Sequence, residues 1–159
     1  MKTWGLGYQK SKEKAKEIYS KIGRIQCPAL NNEYISFTSA GFSHLIRKGR
    51  IPRSKNEQKK RFVLIPFIES VIKNPRAKIL FKRQEARDIT NRHGDKILIK
   101  SIADFWTFVE EINGCIIKVV IRQLEGKNQK HFLSVMGNDV LIDNKKKFKN
   151  KKSSKKRVL

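Results

Sequence analysis

The chain has 159 residues and sets 37 Lys+Arg against 14 Asp+Glu, a formal net charge of +23. Its longest strongly apolar stretch, Phe62 to Ile68, is far too short to span a bilayer as a helix, and 38% hydrophobic residues suffice for one modest core. A charge this large makes a compact state repel itself, so a polyanionic partner is expected, RNA first among them, and no membrane.

The first seven residues, Met1 to Gly7, contain no apolar h-region, so no secretory signal is expected and the cytoplasm is the expected location. Residues 9–22 place Ala15, Ile18, Tyr19 and Ile22 at i, i+3, i+4 and i+7, which predicts a short basic helix ended by Gly23. Cys27 to Asn32 reads as a loop, and residues 1–33 as a basic helix-and-loop segment. Tyr34 to Thr38 alternates as a short strand does. Thr38 or Ser39 then caps a helix running to about Lys48, stopped by Gly49 and Pro52. Ser54-Lys55-Asn56-Glu57 is a capping-box sequence opening a second helix through about Lys73. Phe62, Ile65, Ile68 or Glu69, and Ile72 run down one side of it, and Pro66 kinks or splits it. Asn74-Pro75 closes this helical half.

The second half changes period. Strands are expected at Lys78 to Lys82 and Lys96 to Lys100, separated by a charged stretch in which His93 occupies a surface turn. Phe105 to Val109 is aromatic and β-branched, and Asn113-Gly114 after it is a strong hairpin signal. Cys115 to Arg122 and His131 to Met136 supply two more strands around a turn at Glu125 to Asn128. Helices followed by an antiparallel meander imply an α+β domain over residues 34–144, with helices on one face of a roughly four-stranded antiparallel sheet. Residues 145–159 carry nine basic residues and no acid, and read as a disordered Lys-rich tail. Without those nine charges the remainder still holds +14, so the folded part is basic in its own right.

Cys27 and Cys115 show no paired spacing, and with three scattered histidines they give no zinc pattern; no cofactor or metal is expected. The residues that could carry chemistry are cationic or imidazole-bearing. His44 lies three residues before Arg47 and four before Lys48 on the first helix of the pair, with Arg50, Arg53 and Arg61 able to gather nearby. Such company would favour a neutral imidazole, as a general base needs, while a histidine at a solvent edge is the plain alternative. On the strand from Cys115, Ile117, Val119 and Ile121 form the apolar set, which leaves Lys118 and Arg122 on the open face for a phosphate. Strict alternation puts His131, Leu133 and Val135 on one face of the last strand, opposite Phe132, Ser134 and Met136, so His131 and Ser134 share a site only across a bulge. Phe105, Trp106 and Phe108 suit core packing more than base stacking.

The run Ile35-Ser36-Phe37-Thr38-Ser39-Ala40-Gly41-Phe42-Ser43-His44-Leu45-Ile46, a strand followed by a helix bearing His, resembles the corresponding part of phage-barnase-type nucleases. The basic strand Ile117 to Arg122 and the polar strand His131 to Ser134 are also similar to that group. It belongs to the wider superfamily that joins barnase, EndoU, colicin-type and RelE-like ribonucleases. The resemblance spans roughly residues 34–137 and implies N-terminal helices on a four-stranded antiparallel sheet and metal-independent RNA cleavage. It also implies His44, Arg122, His131 and Ser134 as catalytic candidates, a toxin-like role, and an acidic inhibitor protein as a partner. No glutamate stands beside the arginine on a central strand, so a carboxylate base does not carry over. A noncatalytic RNA-binding protein of ribosomal or regulatory type, using Arg47, Lys48, Arg50, Arg53, Arg61 and Lys118, is the other expectation from charge.

Overall fold

The structure, a computed structural model, describes residues 3–138, without the side chains of 3–6, 88–92 and 96. The Lys-rich tail expected at 145–159 lies outside the described residues.

Helix α1 (Thr3–Ile22) begins earlier than its apolar stripe suggests. Its extra turns bring in Tyr8, which is buried against Phe62 and donates its hydroxyl to Gln58 Oε1. Ala15 and Tyr19 are buried as the periodicity required. Gly23, at φ +63, ends the helix, and strands β1 (Arg24–Cys27) and β2 (Glu33–Ser36) pair antiparallel around a 3-10 turn. Helix α2 (Ser39–Ile46) starts after Thr38 as expected but stops short of Lys48. Arg47 is extended there, and β3 (Arg47–Lys48) folds onto β4 (Ile51–Pro52) around Gly49. Ser54 Oγ accepts the Glu57 amide at 3.2 Å and caps α3 (Lys55–Leu64). Pro66 sits in a 3-10 turn that divides α3 from α4 (Ile68–Lys73).

Strands β5 (Lys78–Arg92), β6 (Asp95–Ile112), β7 (Cys115–Leu124) and β8 (Lys130–Gly137) form the expected antiparallel meander. The charged stretch expected between two short strands is instead part of one long ladder, from Lys78 opposite Val109 to Arg92 opposite Asp95. The two-residue turn His93-Gly94, with φ of 52 and 80, fixes that register, as Asn113-Gly114 does for β6 and β7.

The α+β class holds, but the sheet has six strands among the described residues, in the order β1-β2-β8-β7-β6-β5, and it is mixed. The expected four-stranded antiparallel sheet is its β5–β8 portion. β2 adds parallel to β8, with Ile35 opposite Lys130 and Ser36 opposite His131, and β1 follows outside it. A parallel pair needs a long crossover, and here everything from α2 to β7 lies between the two strands.

One core joins the helices to one sheet face. Phe108, Ile117, Val119, Ile121, Phe132 and Val135 are buried against Leu45, Ile65, Ile68 and Ile72. β8 reaches both ends of this core through a bulge: Ser134 pairs with Val120 and Phe132 with Ile121, leaving Leu133 as the extra residue. Gly41 of α2 touches β8 directly. A methyl there would stand 2.5 Å from the Tyr19 hydroxyl and 2.8 Å from the Phe132 carbonyl oxygen.

Gly41→Ala should therefore cost about 1–3 kcal/mol by overpacking, measured by urea denaturation. Cys27 is fully buried, and that burial pushes its thiol up, so an aromatic disulfide reagent should react with it only after denaturant is added.

Candidate functional site

β2 is paired with β8 only at Lys130 and His131, and α2 packs against β8 beyond that point, with Gly41 on the Phe132 backbone. His44 lies one helical turn after Gly41, and this brings it to the rim of an open cleft of about 460 Å³. The floor is made by three consecutively paired residues on the sheet face opposite the core: Phe105 of β6, Arg122 of β7 and His131 of β8. Ala86 of β5 closes one side. Ser43, Arg47 and Gly49 complete the wall on which His44 stands.

Three hydrogen bonds shape this region. The Arg122 Nε–H donates to His131 Nε2 at 3.2 Å, a bond that uses the lone pair of that nitrogen. Arg53 donates Nε–H to the His44 carbonyl at 3.1 Å, and its amide bonds the Ile46 carbonyl at 2.8 Å. This pair folds the β3–β4 hairpin back along α2 and sets Arg47 at the cleft. Lys48 and Arg50 are exposed on the same hairpin, outside the cleft lining.

His44, Arg122 and His131 are thus brought together, with Arg47 beside them. The other sequence candidates are placed elsewhere, each for a physical reason. Ser134 is buried and accepts from Arg61 Nη1 at 2.7 Å, because the bulge at Leu133 turns it toward α3. Arg61 is itself buried, bonded to the Val135 carbonyl at 3.0 Å and paired with Glu57, so it ties helix to strand. Arg53 is committed to the end of α2; burial first, and then the nearby Arg61 charge, lowers its guanidinium from the usual value. Lys118 shares the open face with Arg122 but lines a separate hollow near Met136.

Sequence reasoning missed several cleft residues, Phe105, Glu85 and Arg87 among them. Phe105 was grouped with Trp106 and Phe108, yet strand alternation separates them: Phe108 is fully buried, while Phe105 is half-buried on the cleft floor. Glu85 also borders the cleft. It follows the parity of Arg83 and Arg87, however, and its carboxylate pairs with Arg87 at 3.6 Å and Lys100 at 4.0 Å, on the face opposite Ala86. It does not supply the missing carboxylate beside Arg122. Among the described residues no group of three or more His, Cys, Asp or Glu side chains could hold a metal, and no helix is long and apolar enough to cross a membrane.

Arg61→Ala strands Ser134 and a strand carbonyl in the core and should lower unfolding free energy by about 2–4 kcal/mol. Ser134→Ala should cost about 1 kcal/mol, and both are checked by urea denaturation followed by circular dichroism. Comparison of the chain with protein-family models, with curated proteins and with solved structures finds no match in any of the three.

Proposed function

We propose that this protein is a metal-independent endoribonuclease that cuts RNA through attack of the 2′-hydroxyl on the adjacent phosphorus. The observation that carries this reading is the meeting of His44, His131, Arg122 and Arg47 in one cleft of a strongly basic chain. Two imidazoles can move two protons near neutral pH, and two guanidiniums match the charge that builds on a phosphorane.

In the proposed reaction the 2′-oxygen forms a bond to phosphorus as the bond from phosphorus to the 5′-oxygen breaks. In the resting cleft Arg122 occupies the His131 Nε2 lone pair, so His131 accepts the 2′-hydroxyl proton at that nitrogen as the Arg122 fork turns to the phosphate. His44, on the opposite wall, gives a proton to the departing 5′-oxygen. Arg122 and Arg47 stabilise the non-bridging oxygens, and the Arg122 fork is suited to two of them at once. The products are a 2′,3′-cyclic phosphate and a 5′-hydroxyl. A cytoplasmic nuclease of this charge would need an acidic inhibitor in the cell that makes it, which keeps a toxin-like role within the proposal.

Cleavage of end-labelled RNA in EDTA tests it. Wild type should leave cyclic phosphate ends, and His44→Ala and His131→Ala should each lose about 10²–10⁴-fold in rate. Because one histidine must be neutral and the other protonated, kcat/KM should rise and then fall with pH, with both limbs within about two units of the ordinary histidine value of ~6.5. RNA affinity should fall with salt by a log–log slope of roughly −0.7 per phosphate neutralised. Tight, salt-sensitive binding without cleavage by wild type would leave a noncatalytic RNA-binding protein.

A further inference from the structure

A second groove, of about 600 Å³, lies beside the cleft and differs from it in chemistry. It is lined by Arg24 of β1, Tyr34 and Ser36 of β2, Gln123 at the end of β7, and Asn128 and Gln129 from the turn before β8. One aromatic ring, three carboxamides, two cations and the Glu33 carboxylate make this lining unsuited to an apolar ligand. It does not suit a phosphate either. Lys130 at its back is neutralised by Glu33, and the Arg24 guanidinium lies over the Tyr34 ring, 4.4 Å from its centroid.

The polar groups are held in place. Gln129 Nε2 donates to Ser36 Oγ at 2.6 Å, and Gln123 Nε2 donates to the Lys127 carbonyl at 2.8 Å. Each amide has an oxygen acceptor besides the Nε2 so held. Tyr34 is 48% exposed, and the Arg24 guanidinium covers one face of its ring. An aromatic platform backed by a guanidinium and flanked by carboxamides matches the two surfaces of a nucleobase. The ring takes its π-face, and the amides take its donor and acceptor edge.

The groove is also in the right place. Arg24 pairs with Ser36, and Ser36 pairs with His131, so by strand parity Arg24, Tyr34, Ser36 and His131 share one sheet face. Strand spacing and rise put Tyr34 roughly 8 Å from His131 between Cα atoms, about one nucleotide from the cleft.

We propose that the Arg24–Tyr34–Gln129 groove binds one unstacked nucleobase of the RNA strand, next to the phosphate held between His44 and His131, and thereby sets the base preference of cleavage. The proposal rests on the nuclease reading for its second half, and on the groove alone for base binding.

The test uses the full chain and fluorescein-labelled 2′-O-methyl RNA octamers of each of the four bases, which cannot be cleaved through the 2′-oxygen. Wild type should favour one base, and Tyr34→Ala should weaken binding of that octamer by about 5- to 100-fold while bringing the four bases level. Tyr34→Phe should keep the preference, and Gln129→Ala should reduce it without changing the melting temperature. Equal affinity for all four bases in wild type, or an equal loss across all four in Tyr34→Ala, would overturn base recognition. Mapping cut sites on a mixed-sequence RNA separates the two proposals. Cleavage with an unchanged base preference in Tyr34→Ala would sink the groove proposal and leave the nuclease standing. Tyr34-dependent base discrimination with no cleavage by wild type would sink the nuclease and leave the base site.

Discussion

The short parallel pairing of β2 with β8 is the constraint on which the rest of the arrangement depends. It consists of two residue pairs, yet it fixes where the chain enters α2 and therefore which edge of β8 that helix covers. With α2 seated on Phe132 through Gly41, His44 comes to stand over the strand pair that carries Arg122 and His131. The same pairing lays Tyr34 and Ser36 alongside His131.

Charge is handled by division of labour among the arginines. Arg61 and Arg53 spend their donors on carbonyls, a hydroxyl and one carboxylate inside the fold, where an unpaired guanidinium would be costly. Arg24 leans on an aromatic ring, and Arg47, Lys48 and Arg50 ride a small exposed hairpin. With few acids in the chain, most of the cationic surface has no internal counter-charge. That arrangement is costly alone in solution and favourable against a polyanion.

Much of the fold was legible from local rules. The capping sequence at Ser54, the proline break at Pro66, the hairpin at Asn113-Gly114 and the apolar parity of Ile117, Val119 and Ile121 each depend on neighbours within a few residues. The parallel β2–β8 pair was not legible, because no local period encodes a contact between segments so far apart. The length of the β5–β6 ladder was hidden for another reason: Arg83 to Arg92 is a charged, polar run that pairs with the more apolar Asp95 to Asp104 only across the His93-Gly94 turn. At the site, His44, Arg122 and His131 were found by chemical type. Ser134 and Arg61 were misplaced because type alone does not say which side of a bulged strand a hydroxyl faces.

The extra residue at Leu133 gives β8 two reading frames. Were the strand regular, the residues in step with Val135 would be Leu133 and His131, and the imidazole would point into the helices. The insertion lets Phe132 and Val135 both enter the core while His131 looks the other way. Before the bulge His131 faces the cleft while Phe132 enters the core, and after it Ser134 and Val135 both face the packing. Changes at Lys130, Phe132, Ser134 and Val135 are therefore felt as folding, and changes at His131 at the cleft.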